Sequence, residues 1–328
     1  MTGLEVTAPD GLPEITAESD LAALIAASTD LVDGDIVVVT SKVISKAEGR
    51  VRAGGRDDAL AEETLRVVAR RGATVIVRNR LGLTMAAAGI DASNVEAGSI
   101  ALLPLDPDAS ARALRTRLHE LTGAVLAVLV TDTAGRAWRE GQTDIAIGAA
   151  GLRVAEDFAG RVDAYGNDLV VTLPAVADEI AGAADLVQGK LGARPVAVVR
   201  GRADLVLPTG EDGPGATSLI RPDGADLFGY GAREAVIRAL AGTEADQLPF
   251  GEPVDPSSLI EAIGRVHLSG WISAALTDDD EPTSLDLEIA GIPDERVVAA
   301  VCFAHGWRLA NWQHGESGVV ARVSPTTP

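Results

Sequence analysis

Cysteine is almost missing from this 328-residue chain. Cys302 stands alone, so neither an internal disulfide nor a cysteine-built zinc site can form. Aromatic residues make up 3% of the chain while hydrophobic residues reach 47%, so a core has to be built from Ala, Val, Leu and Ile. Small aliphatics suit helices packed closely on a sheet. Positive charge is also scarce: 28 Lys and Arg face 48 Asp and Glu, a formal charge of -20, which disfavours a nonspecific grip on nucleic acid or anionic lipid. No run approaches the ~20 apolar residues of a membrane span, and the N-terminal MTGLEVTAPDG lacks a basic segment followed by an apolar one. The expectation is a cytoplasmic protein with no nucleic-acid and no membrane partner.

Several signatures are absent as well. There is no GxGxxG and no GxxxxGK[ST]; the run ending Gly189-Lys190-Leu191 has the wrong glycine spacing and no hydroxyl after the lysine. HExxH and GxSxG are missing too, which removes the best support for zinc peptidases and serine hydrolases.

What is present reads as alternating helices and strands. Leu21, Leu24 and Ile25 put a helix over 20–27, and the Asp33-Gly34 turn leads into a β-branched strand at 36–39. A charged helix is expected over 57–71, a strand over 73–77, and an ordered loop through the Ala- and Gly-rich 81–99. A helix over 108–121 should begin near Asp108, whose carboxylate favours the exposed amides. Strands are expected at 124–130, 169–173 and 195–199, a helix at 176–187, a loop at 210–215 and a further helix ending near Ala241. Residues 243–256 carry three prolines and read as a linker, which divides the chain into domains 1–243 and 244–328. The fold class expected is mixed α/β (α+β), with a small C-terminal α/β module.

Polar clusters sit at the ends of the apolar strands, where α/β proteins place ligands. Ser41, Lys42, Ser45 and Lys46 offer hydroxyl and ammonium groups suited to phosphate, or form an ordinary surface turn. Asp132 and Thr133 offer oxygen ligands for Mg²⁺ or Mn²⁺, or an Asx turn. Asp91 and Asn94 pose the same choice, and Arg136 and Arg139 are either a carboxylate clamp or a solvated loop. His119 reads as solvent-facing; His267, His305 and His314 are too scattered for a metal site; Cys302 reads as inert core. The acidic run TDDDE at 277–281 reads as a solvated loop.

Six segments together carry a family resemblance: GLPEI at 11–15, VVVTSKVISKAEGR at 37–50, NRLGLTMAAAGIDASN at 79–94, LLPLDPDASA at 102–111, VTDTAGRAWREGQTD at 130–144 and AVADEIAGAADLVQGK at 175–190. In this order over about the first 240 residues, they resemble the coenzyme F420-0:L-glutamate ligase family. The resemblance implies a GTP-dependent enzyme that joins L-glutamate to coenzyme F420-0, then adds γ-linked glutamates, through an acyl phosphate. It further implies Mn²⁺ or Mg²⁺, K⁺ as an activator, a mixed α/β fold and a homodimer. By motif match, Leu12, Pro13, Glu14, Ile15, Ser41, Lys46 and Asn94 would hold GTP, and Asp91, Asp132 and Thr133 would hold the metals. No catalytic side chain is singled out. A carboxylate clamp at Arg136 or Arg139 is a further expectation. In the bifunctional actinobacterial form of the family a flavin-binding, nitroreductase-like domain follows, whereas here only ~85 residues remain, short for a domain.

Two other readings remain at this stage. The strand followed by TDT faintly resembles a DxDxT phosphohydrolase motif, but the second aspartate is replaced by Ala134. A non-enzymatic nucleotide sensor is the other.

Overall fold

In the computed structural model, which describes residues 3–267, 270–276 and 284–326, the run 36–39 is the central strand of a five-stranded sheet and is buried on both faces. The chain divides into two units, Met1–Ile220 and Arg221–Pro328. The first contains β1 (Glu5–Thr7), α1 (Leu21–Ser28), β2 (Ile36–Thr40), α2 (Ser41–Ala47), β3 (Val51–Ala53), α3 (Arg56–Glu63), β4 (Thr64–Arg71), β5 (Thr74–Asn79) and β6 (Thr84–Ala86). It continues with β7 (Ser99–Ala101), α4 (Pro107–Thr122), β8 (Ala127–Gly135), β9 (Gln142–Ala150), β10 (Arg161–Val162), β11 (Asp168–Leu169), α5 (Val176–Gln188) and β12 (Val196–Arg200).

The main sheet runs β1-β12-β2-β8-β9. Only β2 and β8 are parallel, in a register that pairs Ile36 with Ala127 and Thr40 with Thr131. Side chains alternate across the sheet. Val37, Val39, Val128 and Val130 therefore pack with α1 and α4, while Ile36, Val38, Ala127 and Leu129 pack with α5. Aliphatic strands between two helical layers are what the composition required. Smaller pairings, β4-β5-β6, β3-β7 and β10-β11, flank this sandwich.

Local chemistry starts the helices. Asp20 caps α1 by accepting from the Ala23 amide, and Asp106, followed by Pro107, caps α4 by accepting from the Ala109 amide. Asp108 is not the cap expected of it. It is buried and accepts from the Ala149 amide at 2.7 Å, the Ala216 amide at 2.8 Å and the Thr217 hydroxyl at 2.6 Å, tying α4 to β9 and to the end of the unit.

Other expectations also need correction. The charged helix over 57–71 stops at Glu63, and 64–71 is strand β4, paired antiparallel with β5. The break comes where buried Glu63 takes Arg50 Nη2 at 2.7 Å and Arg80 Nε at 2.6 Å, and β-branched Val67 and Val68 follow. Strand β8 does not end at Val130 but runs through Thr131, Asp132 and Thr133 into a hairpin with β9. Within 81–99, β6 and a short 3₁₀ turn interrupt the loop. Of 169–173 only Leu169 is strand, and Val170 and Val171 are exposed. His119 is half-buried, its Nδ1 2.9 Å from the Ala124 carbonyl.

The second unit is α6 (Ala232–Ala241), α7 (Pro256–Val266), β13 (Ile272–Leu276), β14 (Leu285–Ala290), α8 (Glu295–Ala304), β15 (Trp307–His314) and β16 (Gly318–Pro325). Its antiparallel sheet, β13-β14-β16-β15, packs Leu287, Ile289, Ala321 and Val323 against Leu259 and Ile263 of α7 and Val298 and Cys302 of α8. Burial pushes the Cys302 thiol up to about 12, so it is inert core as expected. Residues 243–256 pack inside this unit: Gln247 donates to the Phe303 carbonyl and Phe250 lies between the rings of Tyr230 and Phe303. The acidic run 277–281 lies outside the described residues. Among the described residues no helix is long and apolar enough to cross a membrane.

Candidate functional site

Strand β2 passes directly into α2, so Ser41 follows without a loop after Thr40, which is paired with Thr131 on the parallel neighbour β8. The carboxyl ends of parallel strands open a crevice for ligands. Here it is a cavity of about 610 Å³. Its wall is assembled from residues 12–15, the first turns of α2, the loop carrying Asp91 and Asn94, the polar end of β8, Asp144 of β9, and the end of α5 with the loop after it.

Each wall segment is fixed by its own local structure. Ile15 is buried in the core beside α1 and anchors the N-terminal segment. Lys42 and Lys46 are four apart on α2 and so share a face. Asp91 exchanges both backbone hydrogen bonds with Ala101 of β7, and its carboxylate accepts from the Ser93 amide at 2.6 Å, the Asx turn foreseen as the alternative. The turn and the cavity wall are the same residue. Asn94 adopts φ of 54°, a left-handed conformation that Asn tolerates better than most side chains.

The polar groups are knitted together. Ser41 Oγ donates to Asp132 Oδ1 at 2.8 Å. Lys42 Nζ lies 2.7 Å from Asp91 Oδ2 and donates to Ser93 Oγ at 2.9 Å. Lys46 pairs with Glu14. Thr131 and Thr133 donate to the two oxygens of Asp144 at 3.0 and 2.8 Å.

Six carboxylates (Glu14, Asp91, Glu96, Asp132, Asp144, Asp185) share the wall with four cations (Lys42, Lys46, Lys190, Arg194). The crowding shows in the acids. Burial pushes Asp132 up to about 7, the charges of Asp144 and Asp91 add to this, and the Ser41 hydrogen bond and Lys42 oppose it. For Asp91 burial acts upward too, but the hydrogen bonds from Lys42 and Ser93 outweigh it and hold the carboxyl below its ordinary value. Asp185 is raised by burial and by Asp144.

All ten residues expected to hold nucleotide or metal line this one cavity: Leu12, Pro13, Glu14, Ile15, Ser41, Lys46, Asp91, Asn94, Asp132 and Thr133. Arg136 and Arg139 do not. Both are exposed in the β8–β9 turn, and Arg136 donates to the Glu140 carbonyl. Besides Lys42 and Lys46, the basic groups that reach the cavity are Lys190 and Arg194, which follow α5. Sequence reading also missed Asp144 and Gln188. Asp144 was legible only through a hairpin between TDTAG and GQTD, which the alternation of small and polar residues hints at. Gln188 has no local signal at all.

Gln188 is the most telling of these residues. It is 3% exposed, and neither its side-chain oxygen nor its nitrogen has a partner in the protein, although it lines the cavity. A buried amide without partners costs about 1–3 kcal/mol. Among the described residues no group of three or more His, Cys, Asp or Glu could hold a metal unaided. A cation here would draw on mixed oxygen donors, protein and ligand together.

The family described as F420-0:Gamma-glutamyl ligase matches residues 11–55 and 58–201, more than half of the chain. The coenzyme F420:L-glutamate ligase of Archaeoglobus fulgidus is 43% identical over 219 residues, 60% of this chain and 88% of the archaeal protein. That of Methanothermobacter thermautotrophicus is 38% identical over 255 residues, 69% and 99% of the two chains. That of Halobacterium salinarum is 41% identical over 219 residues, 59% and 85%.

Proposed function

The chain belongs to the F420-0:gamma-glutamyl ligase family, and from that premise we propose how its cavity carries out the GTP-dependent ligation of L-glutamate to coenzyme F420-0. The observation that carries the reading is the convergence of ten widely spaced residues on one cavity. The first unit contains that whole cavity, and the ligase chemistry is assigned to it.

A carboxylate is a poor electrophile. The terminal carboxylate of F420-0 therefore attacks the γ-phosphorus of GTP, GDP leaves, and an acyl phosphate remains; the glutamate amine then attacks the acyl carbon and inorganic phosphate leaves. Phosphoryl transfer depends on alignment and charge neutralisation more than on a protein nucleophile. Residues Leu12 to Ile15 with Ser41, Lys46 and Asn94 bind and align GTP. Lys190 and Arg194 supply the positive charge that an anionic acceptor or glutamate needs. The walls exclude water, which would otherwise hydrolyse the acyl phosphate.

A divalent cation fits the donor set. With more acids than bases on the wall, a triphosphate would be repelled without added positive charge. Small divalent cations take one or two carboxylates and complete their shell with phosphate and water. Asp91, Asp132 and Thr133 are the residues that would hold Mn²⁺ or Mg²⁺, and the unpartnered Gln188 amide supports an additional oxygen donor. When bound, the metal supplies Lewis-acid neutralisation of phosphate oxygens. K⁺ as an activator, a cytoplasmic setting and a homodimer belong to the same reading. For the dimer the support is apolar surface on the first unit, where Val162, Val170, Val171 and Leu173 are all exposed.

The test is incubation with GTP, Mn²⁺, L-glutamate and F420-0, following GDP and glutamylated product together. Equal amounts of both are expected. GDP without ligation points instead to a phosphohydrolase, and nucleotide binding without turnover to a sensor.

A further inference from the structure

Asp144 lies outside every role assigned so far, yet both its oxygens are engaged at the cavity wall. We infer that Asp144 is a positioning residue, which holds the Thr133 hydroxyl in the one orientation useful to a cation. Thr133 Oγ1 lies 2.8 Å from Asp144 Oδ1, and Thr131 Oγ1 lies 3.0 Å from Oδ2. A carboxylate only accepts, so in both pairs the hydroxyl donates. A hydroxyl has one proton and two lone pairs. With the proton committed to Asp144, Thr133 has lone pairs left to offer the cavity; a hydroxyl free to rotate would turn its proton toward a cation for part of the time.

The arrangement is held from several sides. Thr133 and Asp144 are direct Cα partners across β8 and β9, where side chains of opposed residues come closest. Asp144 is 4% exposed, and Thr131, itself buried, fills the second carboxylate oxygen so that the group cannot turn away. Nothing in the hydrogen bonding requires Asp144 to touch the cation itself. Partners that orient a metal ligand without contacting the metal are worth about 10–100-fold in metal affinity.

This inference rests on the reading of Thr133 as a cation ligand, and the experiment separates the two. Mn²⁺ is titrated into the chain in the presence of saturating GDP, with Mn²⁺ and GDP alone as the reference, and followed by water-proton relaxation, for the wild type, Thr133→Val, Asp144→Asn and the double variant. Metal-free melting temperatures verify folding. Each single variant is expected to weaken Mn²⁺ binding by about tenfold or more. The double variant should be no weaker than the weaker single, because the two residues act through one bond. Asp144→Ser, which introduces no amide donor, should lose as much as Asp144→Asn.

Wild-type affinity in both Asp144 variants, with Thr133→Val weakened, overturns the positioning role while leaving the cation reading intact. A double variant that loses the product of the two single losses also overturns it, since Asp144 would then act on the cation independently. Wild-type affinity in Thr133→Val sinks the cation reading of Thr133 itself.

Discussion

Asp132 shows at the residue scale how the cavity sets its own acid chemistry. Free in an unfolded chain its carboxyl ionises near 3.8; in the fold, burial and the neighbouring Asp144 and Asp91 raise it to about 7. Between these values the folded state keeps a proton that the unfolded state has released. Stability therefore falls as pH rises through that window, and the full cost is present above pH 7. Asp132→Asn removes the titration, so its metal-free melting temperature should gain on the wild type from pH 5 to about pH 7 and level off above it. Parallel melting curves would remove the carboxyl from this account. Gln188 makes the complementary case. Gln188→Met keeps the volume and eliminates two unpartnered polar atoms, so it should stabilise the ligand-free protein by about 1 kcal/mol while weakening Mn²⁺ and GTP binding. Denaturant unfolding and ligand titration read the two effects separately, and a loss of stability would show that the amide is already satisfied.

At the scale of elements, the site depends on how α4 and β9 approach. Gly148 of β9 faces Pro107 at the start of α4, where an added Cβ would lie 2.4 Å from the Pro107 carbonyl carbon and oxygen. Backbone cannot yield as a flexible side chain does. Gly148→Ala should destabilise the first unit by about 2 kcal/mol, read as a shifted denaturation midpoint with an unchanged slope. Helix positions and buried strands were legible to within a residue or two because they depend on residues close in sequence, as at 20–27, 108–121 and the run 36–39, although the α4 cap is Asp106 and not Asp108. Strand β4 was not. Its TLRVVARR is charged enough to pass for a helix face, and only pairing with β5 settles its conformation. The continuation of β8 through TDT was hidden for the same reason, since Thr and Asp at a strand end look like a turn until β9 pairs with them.

Across the whole molecule, negative charge and exposed apolar surface pull in opposite directions. A net charge of -20 keeps copies apart, whereas the exposed side chains of Val162, Val170, Val171 and Leu173 favour association. If that surface closes the proposed homodimer, a two-fold axis sets each copy of it against its mate, and Val171→Asp places like charges together. Light scattering should then report a monomer for Val171→Asp and a dimer for the wild type. A variant that stays dimeric moves the interface elsewhere.

The amino-acid order by itself determined which stretches must be buried, where half of the helices begin, and, through the family resemblance, which ten residues should lie together, because burial and motif chemistry are written in short segments. Only the tertiary structure decided which polar groups meet. Asp144 reaches Thr133 across a hairpin, Gln188 is brought to the wall by the packing of α5, and Lys190 and Arg194 line the cavity that Arg136 and Arg139 do not reach. Such contacts join residues far apart in the chain, and their geometry exists only after strand pairing and helix packing have closed the intervening loops.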